Sequence, residues 1–163
     1  MSAIKASFSS VERSSAVNEI NENMPVFLIS GGDGGIGSAI VKELRSHGYR
    51  LSLGALDVGQ LAEKFGPETV DTLYQSFDAF DAESARNWVD RTVKKFGQID
   101  GIVNAIGIRE RVAIMDDNDA GLDRLWEVYI KAPLRLVRLC MPCLEKCGRG
   151  RVVNIVSLGG KRI

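Results

Sequence analysis

From Pro25 onward, short apolar runs alternate with stretches whose apolar residues recur at helical spacing, the pattern of a parallel sheet covered by helices. Val26 to Ser30 is an unbroken apolar run closed by Ser30, as expected of a strand buried on both faces. A glycine-rich turn follows, and Ile36, Ala39, Ile40 and Leu44 then predict a helix that Gly48 stops. A second strand is predicted over Arg50 to Ala55, and a short helix over Val58 to Phe65 that Gly66-Pro67 closes. A third strand fits Thr72 to Phe77. Asp81 is placed to cap the next helix, with Glu83 in its first turn. The apolar face of that helix is Ala85, Trp88, Val89, Val93 and Phe96, and Gly97 ends it.

A fourth strand covers Gly101 to Asn104, and a polar, Asp-rich loop runs from Arg109 to Gly121. The long helix after it carries one stripe of Leu122, Leu125, Tyr129, Ala132, Leu136 and Leu139. A second stripe holds Trp126, Ile130, Val137, Met141 and Leu144. Two stripes imply burial on two sides, one against the sheet and one against a partner chain, so a homo-oligomer through residues 122–147 is expected. A fifth strand is predicted over Arg151 to Ser157. The sum is a doubly wound parallel α/β sheet of five strands in one domain, residues 25–163. A polar, Ser-rich leader at residues 1–24 is expected to be mobile.

Composition narrows the function classes. Lys plus Arg and Asp plus Glu balance at 21 each, so no overall field argues for nucleic acid or an anionic membrane. No apolar run approaches the roughly 18 residues of a membrane helix. The leader contains Glu12, Glu19 and Glu22 and no apolar stretch, which argues against signal and transit peptides and for a cytoplasmic protein. Cys140, Cys143 and Cys147 have no fourth thiol or nearby His to close a zinc site, and they sit in an apolar helical segment. His47 stands at a helix end beside Gly48, where a cation or polar group is welcome; no metal is expected.

Chemistry is concentrated between the first strand and the first helix, in Ser30-Gly31-Gly32-Asp33-Gly34-Gly35-Ile36-Gly37. A loop there brings backbone N–H groups and a helix N-terminus against a pyrophosphate, provided no Cβ blocks the approach. A P-loop fails because Ser38 follows Gly37 directly, where that motif needs Lys. A merely flexible turn is the plain alternative. Gly32, Gly34 and Gly37 satisfy G-x-G-x-x-G; Ser30, Gly31, Gly35 and Gly37 instead resemble the Thr-Gly-x-x-x-Gly-x-Gly motif of the short-chain dehydrogenase/reductase family.

Later residues favour the second register. Asp78-Ala79 resembles the family's Asp-Val pair, and Asn104-Ala105-Ile106-Gly107 its Asn-Asn-Ala-Gly. Trp126 to Lys131 resembles the helix with the active-site Asn, and Gly150 to Ser157 the strand that delivers the catalytic Ser. The resemblance implies a Rossmann-type sheet, with five of the family's usual seven strands present. It also implies hydride transfer between a nicotinamide and an alcohol or ketone carbon. The cofactor-binding residues it implies are Ser30, Gly31, Asp33, Gly35, Ile36, Gly37, Asp78, Ala79, Asn104, Ala105 and Gly107, with Ser157 catalytic. The cofactor the resemblance implies is NAD or NADP. Ala55 and Leu56 offer neither the acid of NAD-users nor a base, Gly34 stands where NADP-users carry a cation, and Asp33 would repel a phosphate, which leans towards NAD. Asp57 reaches the ribose only if the turn bends back; otherwise it caps the next helix.

Two departures limit the resemblance. The family's Tyr-x-x-x-Lys is absent, since Tyr49, Tyr74 and Tyr129 are followed four places on by Leu53, Asp78 and Pro133. The 163 residues alone are therefore expected to be inactive. Tyr129 stands at the position of the family's Asn, and its apolar stripe predicts a packing role over that of a proton donor. The competing reading is a non-enzymatic nucleotide-binding or scaffolding protein. Arg109 and Arg111 suit an anionic substrate or simply a solvated loop.

Overall fold

A computed structural model of the chain describes residues 24–156 except Ile114. The leader and Ser157 therefore lie outside the described residues. Eleven segments alternate: β1 (Val26–Ser30), α1 (Gly35–Ser46), β2 (Arg50–Ala55), α2 (Val58–Phe65), β3 (Thr72–Ser76), α3 (Ala82–Phe96), β4 (Gly101–Asn104), α4 (Asp119–Trp126), a π-helical turn (Glu127–Lys131), α5 (Ala132–Lys146) and β5 (Arg151–Asn154). The strands form one parallel sheet in the order β3-β2-β1-β4-β5. The chain builds outward from β1 to β3, then returns to the other side of β1, so the carboxyl ends of β1 and β4 flank a reversal of strand order. Open α/β sheets offer their ligand crevice at such a reversal.

Alternate strand residues face opposite helix layers. Ile29, Leu53 and Val103 pack with Val41 of α1 and Leu61 of α2. Leu28 and Ile102 pack on the other side with Trp88 of α3 and Leu136 and Cys140 of α5. Trp88 is fully buried, and its indole Nε1 donates to Ser52 Oγ at 2.8 Å, so the polar handle of a large apolar ring is satisfied inside the core. Asp81 caps α3 as predicted, accepting the Glu83 N–H at 2.8 Å, and Asp57, whose role was open, caps α2 by accepting the Gly59 N–H at 2.8 Å.

Three expectations change. The third strand stops at Ser76; the Phe77 N–H still donates to Ala55 O at 2.9 Å, and its ring is buried in the core. The fifth strand stops at Asn154. The long helix is not one helix. Pro133 has no N–H for the Tyr129 carbonyl, and the Ala132 N–H reaches five residues back to Glu127 O, widening the helix into a π turn. The extra residue rotates α5 relative to α4, so neither predicted stripe stays on one face. The buried row is Val128, Ala132, Leu136, Cys140 and Leu144, drawn from both stripes and from outside them. Leu122, Trp126, Tyr129, Ile130 and Met141 are left exposed.

Candidate functional site

The glycine loop crosses the carboxyl ends of β1 and β2. Gly31 adopts φ +70°, and its N–H donates to Gly54 O at 2.8 Å, turning the chain sharply off the strand. A Cβ on Gly31 would stand 3.0 Å from Ala105 O, and one on Gly37 would stand 2.0 Å from Gly31 O. These two close approaches fold the loop back onto the first turn of α1. Gly32, in contrast, has ordinary clearance from Leu53, Leu61 and Val41, and of the loop's glycines only Gly31 takes a positive φ.

Helix α1 starts at Gly35 without a side-chain cap, so its first backbone N–H groups are open to an acceptor from outside the chain. A Cβ at Gly35 would meet no protein atom within 4 Å. Bare N–H groups above a glycine with open space over it suit a pyrophosphate, which needs donors, a positive helix end and close backbone approach. The residues present therefore fit a dinucleotide. Ile36 is exposed on the same first turn, and Asp33 is half-buried in the loop before it.

Other residues predicted for the site converge on this end of the sheet. Ser30 and Asn104 pair in register across β1 and β4, and Asn104 pairs with Asn154 of β5. Asn104 Nδ2 donates to Asn154 Oδ1 at 2.8 Å. Among the described residues, the buried Ser30 Oγ and Asn104 Oδ1 find no hydrogen-bond partner. Two adjacent orphaned oxygens mark a place where water or a bound group completes the bonding. Ala105 continues from Asn104, its N–H donating to Ser30 O at 3.2 Å. Asn104 and Asn154 also line a cavity of about 340 Å³ beneath the π turn, with Ile106, Val128, Tyr129 and Pro133 among its walls.

Asp78 follows β3, and its Oδ1 accepts the Phe80 N–H at 2.9 Å, which fixes the carboxylate's direction. The buried Ala79 is held through its carbonyl by Arg135 Nη1 at 3.1 Å, and the same guanidinium donates to Glu127 Oε1 at 2.6 Å. That second bond, with Lys131 nearby, holds the Glu127 carboxyl below its ordinary value. Arg135 thus ties the Asp78–Ala79 corner to the π turn. Nothing in the sequence pattern points to this link, because the Arg135–Ala79 contact spans 56 residues.

Tyr129 departs from its expected packing role. The residue is 44% exposed, and its hydroxyl donates to Ile108 O at 2.7 Å while accepting the Ile108 N–H at 3.1 Å. It is a clamp on the loop that carries Gly107. Both capacities of the phenol are engaged by one backbone unit, which leaves it poorly placed to deliver a proton. Cys140 is buried among apolar side chains, which pushes its thiol up to about 12 and keeps it inert. A cation also reaches the glycine loop that the sequence reading missed: Lys64 Nζ donates to Asp33 O at 2.7 Å.

Comparison with known proteins settles what frame this is. The family model for short chain dehydrogenase matches residues 25–163. The chain belongs to the short-chain dehydrogenase family. Two agropine synthesis reductases of Rhizobium rhizogenes are 46% and 44% identical over 146 residues, covering 89% of this chain and 34% of theirs. A Streptomyces violaceoruber protein described as a granaticin polyketide synthase putative ketoacyl reductase is 30% identical over 142 residues, 57% of its length. A metagenomic short-chain oxidoreductase solved in complex with NADP superposes with a TM-score of 0.72 at 29% identity, covering 85% of this chain and 65% of that one. The chain therefore spans about a third of the agropine synthesis reductases and just over half of the polyketide reductase. Family members are oxidoreductases built on the Rossmann-type sheet seen here. Among the described residues, no helix is long and apolar enough to cross a membrane.

Proposed function

We propose that these residues are the NAD(P)-holding part of a short-chain reductase that moves hydride between a nicotinamide and a carbonyl or alcohol carbon. The observation that carries this reading is the uncapped start of α1 above Gly35, with Gly31 and Gly37 folding the loop out of the way. The dinucleotide, when bound, supplies the hydride. The chain's own residues do the rest. The α1 N–H groups hold the pyrophosphate, Asp78 accepts from the adenine amino group, and Asn104 with Ser30 completes the floor of the crevice. Ser157 steadies the substrate oxygen, and Arg135 keeps the Asp78 corner in place. Carbonyl reduction is the favoured direction, in keeping with relatives named as reductases. Protonation of the product oxygen needs a Tyr-x-x-x-Lys pair, which these 163 residues lack, so they hold cofactor without turning it over. The exposed residues of α4 and α5 serve pairing with a second copy.

Nuclear magnetic resonance titration with NAD and NADP tests this placement. Amides of Gly35, Ile36 and Gly37 and of the Asp78 corner are expected to shift at one-to-one stoichiometry. Shifts confined to other surfaces, or none, would contradict the reading.

A further inference from the structure

The end of β2 normally sorts NAD from NADP, with an acid for the ribose hydroxyl or a cation for the 2′-phosphate. Here Ala55 is buried and apolar, and Leu56 is an exposed aliphatic side chain. Asp57 is turned into its own helix: Oδ1 accepts the Gly59 N–H at 2.8 Å, and Oδ2 accepts from Gln60 Nε2 at 3.3 Å. The side chain that would select NAD is thus held by the N-terminus of α2. The same helix sends a cation the other way. Lys64, in the last turn of α2, crosses to the glycine loop and places Nζ 2.7 Å from Asp33 O. The following Gly34 and Gly35 are exposed and bring no side chain between that ammonium and the crevice. Lys64 thus brings a positive charge to the glycine loop, beside the backbone of Asp33, where neither Ala55 nor Leu56 supplies one.

We infer that Lys64 is a cofactor-selecting residue, giving this site a preference for the 2′-phosphorylated dinucleotide. The inference rests on the dinucleotide reading above. An ammonium has three donors, so one bond to Asp33 O leaves two for phosphate oxygens. Lysine binds phosphate as a point charge, without the planar geometry that arginine imposes, which suits an approach from a helix outside the loop.

Calorimetric titration of the 163-residue chain with NADP and with NAD, for wild type, Lys64→Met and Lys64→Arg, tests it. Wild type is expected to bind NADP at least roughly ten-fold more tightly than NAD, as one good charge–phosphate contact supplies. Lys64→Met should remove that preference and leave NAD binding unchanged, while Lys64→Arg keeps it. Adenosine 2′,5′-bisphosphate against AMP should repeat the pattern, because the contact lies at the adenosine end. Equal or tighter NAD binding by wild type, a preference that survives Lys64→Met, or equal weakening of both dinucleotides would overturn the inference. The last result would make Lys64 only a brace of the loop. If neither dinucleotide binds, the inference fails together with the reading beneath it; a site that binds NAD without preferring NADP sinks the inference alone.

Discussion

Single side chains in this protein are claimed by backbone before they are offered to a ligand. Asp57 is the clearest case, with one oxygen on the Gly59 N–H and the other on Gln60. Asp57→Ala should therefore lower stability by about 1 kcal/mol, the usual cost of losing an N-cap, and should not weaken NAD binding. Paired melting curves and NAD titrations check this; lost NAD affinity with little change in stability would show a ribose ligand instead. The sequence alone left both roles of Asp57 open, and the geometry decides for the cap. Tyr129 was less legible. Its apolar neighbours at helical spacing suggest packing, but periodicity says nothing of where a hydroxyl points, and its partner Ile108 lies 21 residues away. Lys64 was invisible for the same reason: its bond to Asp33 spans 31 residues.

Strands and helices were largely readable from the pattern, because each is buried by a period that local sequence displays. The exception is the segment from Asp119 to Lys146, where Pro133 removes one hydrogen bond and the π turn changes the phase of the apolar face. A stripe count assumes constant phase, and one inserted residue defeats it. Arg135 then stitches this turn to the Ala79 carbonyl and to Glu127. Because the folded state holds the Glu127 carboxyl below its ordinary value, its contribution is present above the unfolded carboxylate pKa and is lost as pH falls through the folded one. Wild type should thus be more stable than Glu127→Gln at neutral pH, by about 1 kcal/mol for this part-buried pair. The gap should close on acidification below the carboxylate range. A gap that does not vary with pH would mean that shape, not charge, accounts for the difference.

At the scale of the molecule, the parallel order β3-β2-β1-β4-β5 gathers residues from four strand ends around one crevice. That convergence was expected from the order of the motifs, since loops that follow parallel strands all emerge at the same edge of the sheet. The depth of the crevice was not. It depends on Gly31 and Gly37 touching backbone at distances that leave no room for a Cβ, and on a cavity beneath the π turn. Ser157, the residue through which the family handles substrate, lies outside the described residues, so the present geometry defines the cofactor side of the site.

The central claim is that the open space over Gly35 is where a dinucleotide's pyrophosphate rests. Gly35→Val fills that space without touching any protein atom at its Cβ, so the fold should melt within about 0.5 kcal/mol of wild type. Calorimetric titration of both proteins with NAD and NADP is the direct test. Wild type should bind one dinucleotide per chain, and Gly35→Val should lose roughly ten-fold or more in affinity for both, because the new side chain blocks the backbone approach. Undiminished binding by a folded Gly35→Val would contradict the account.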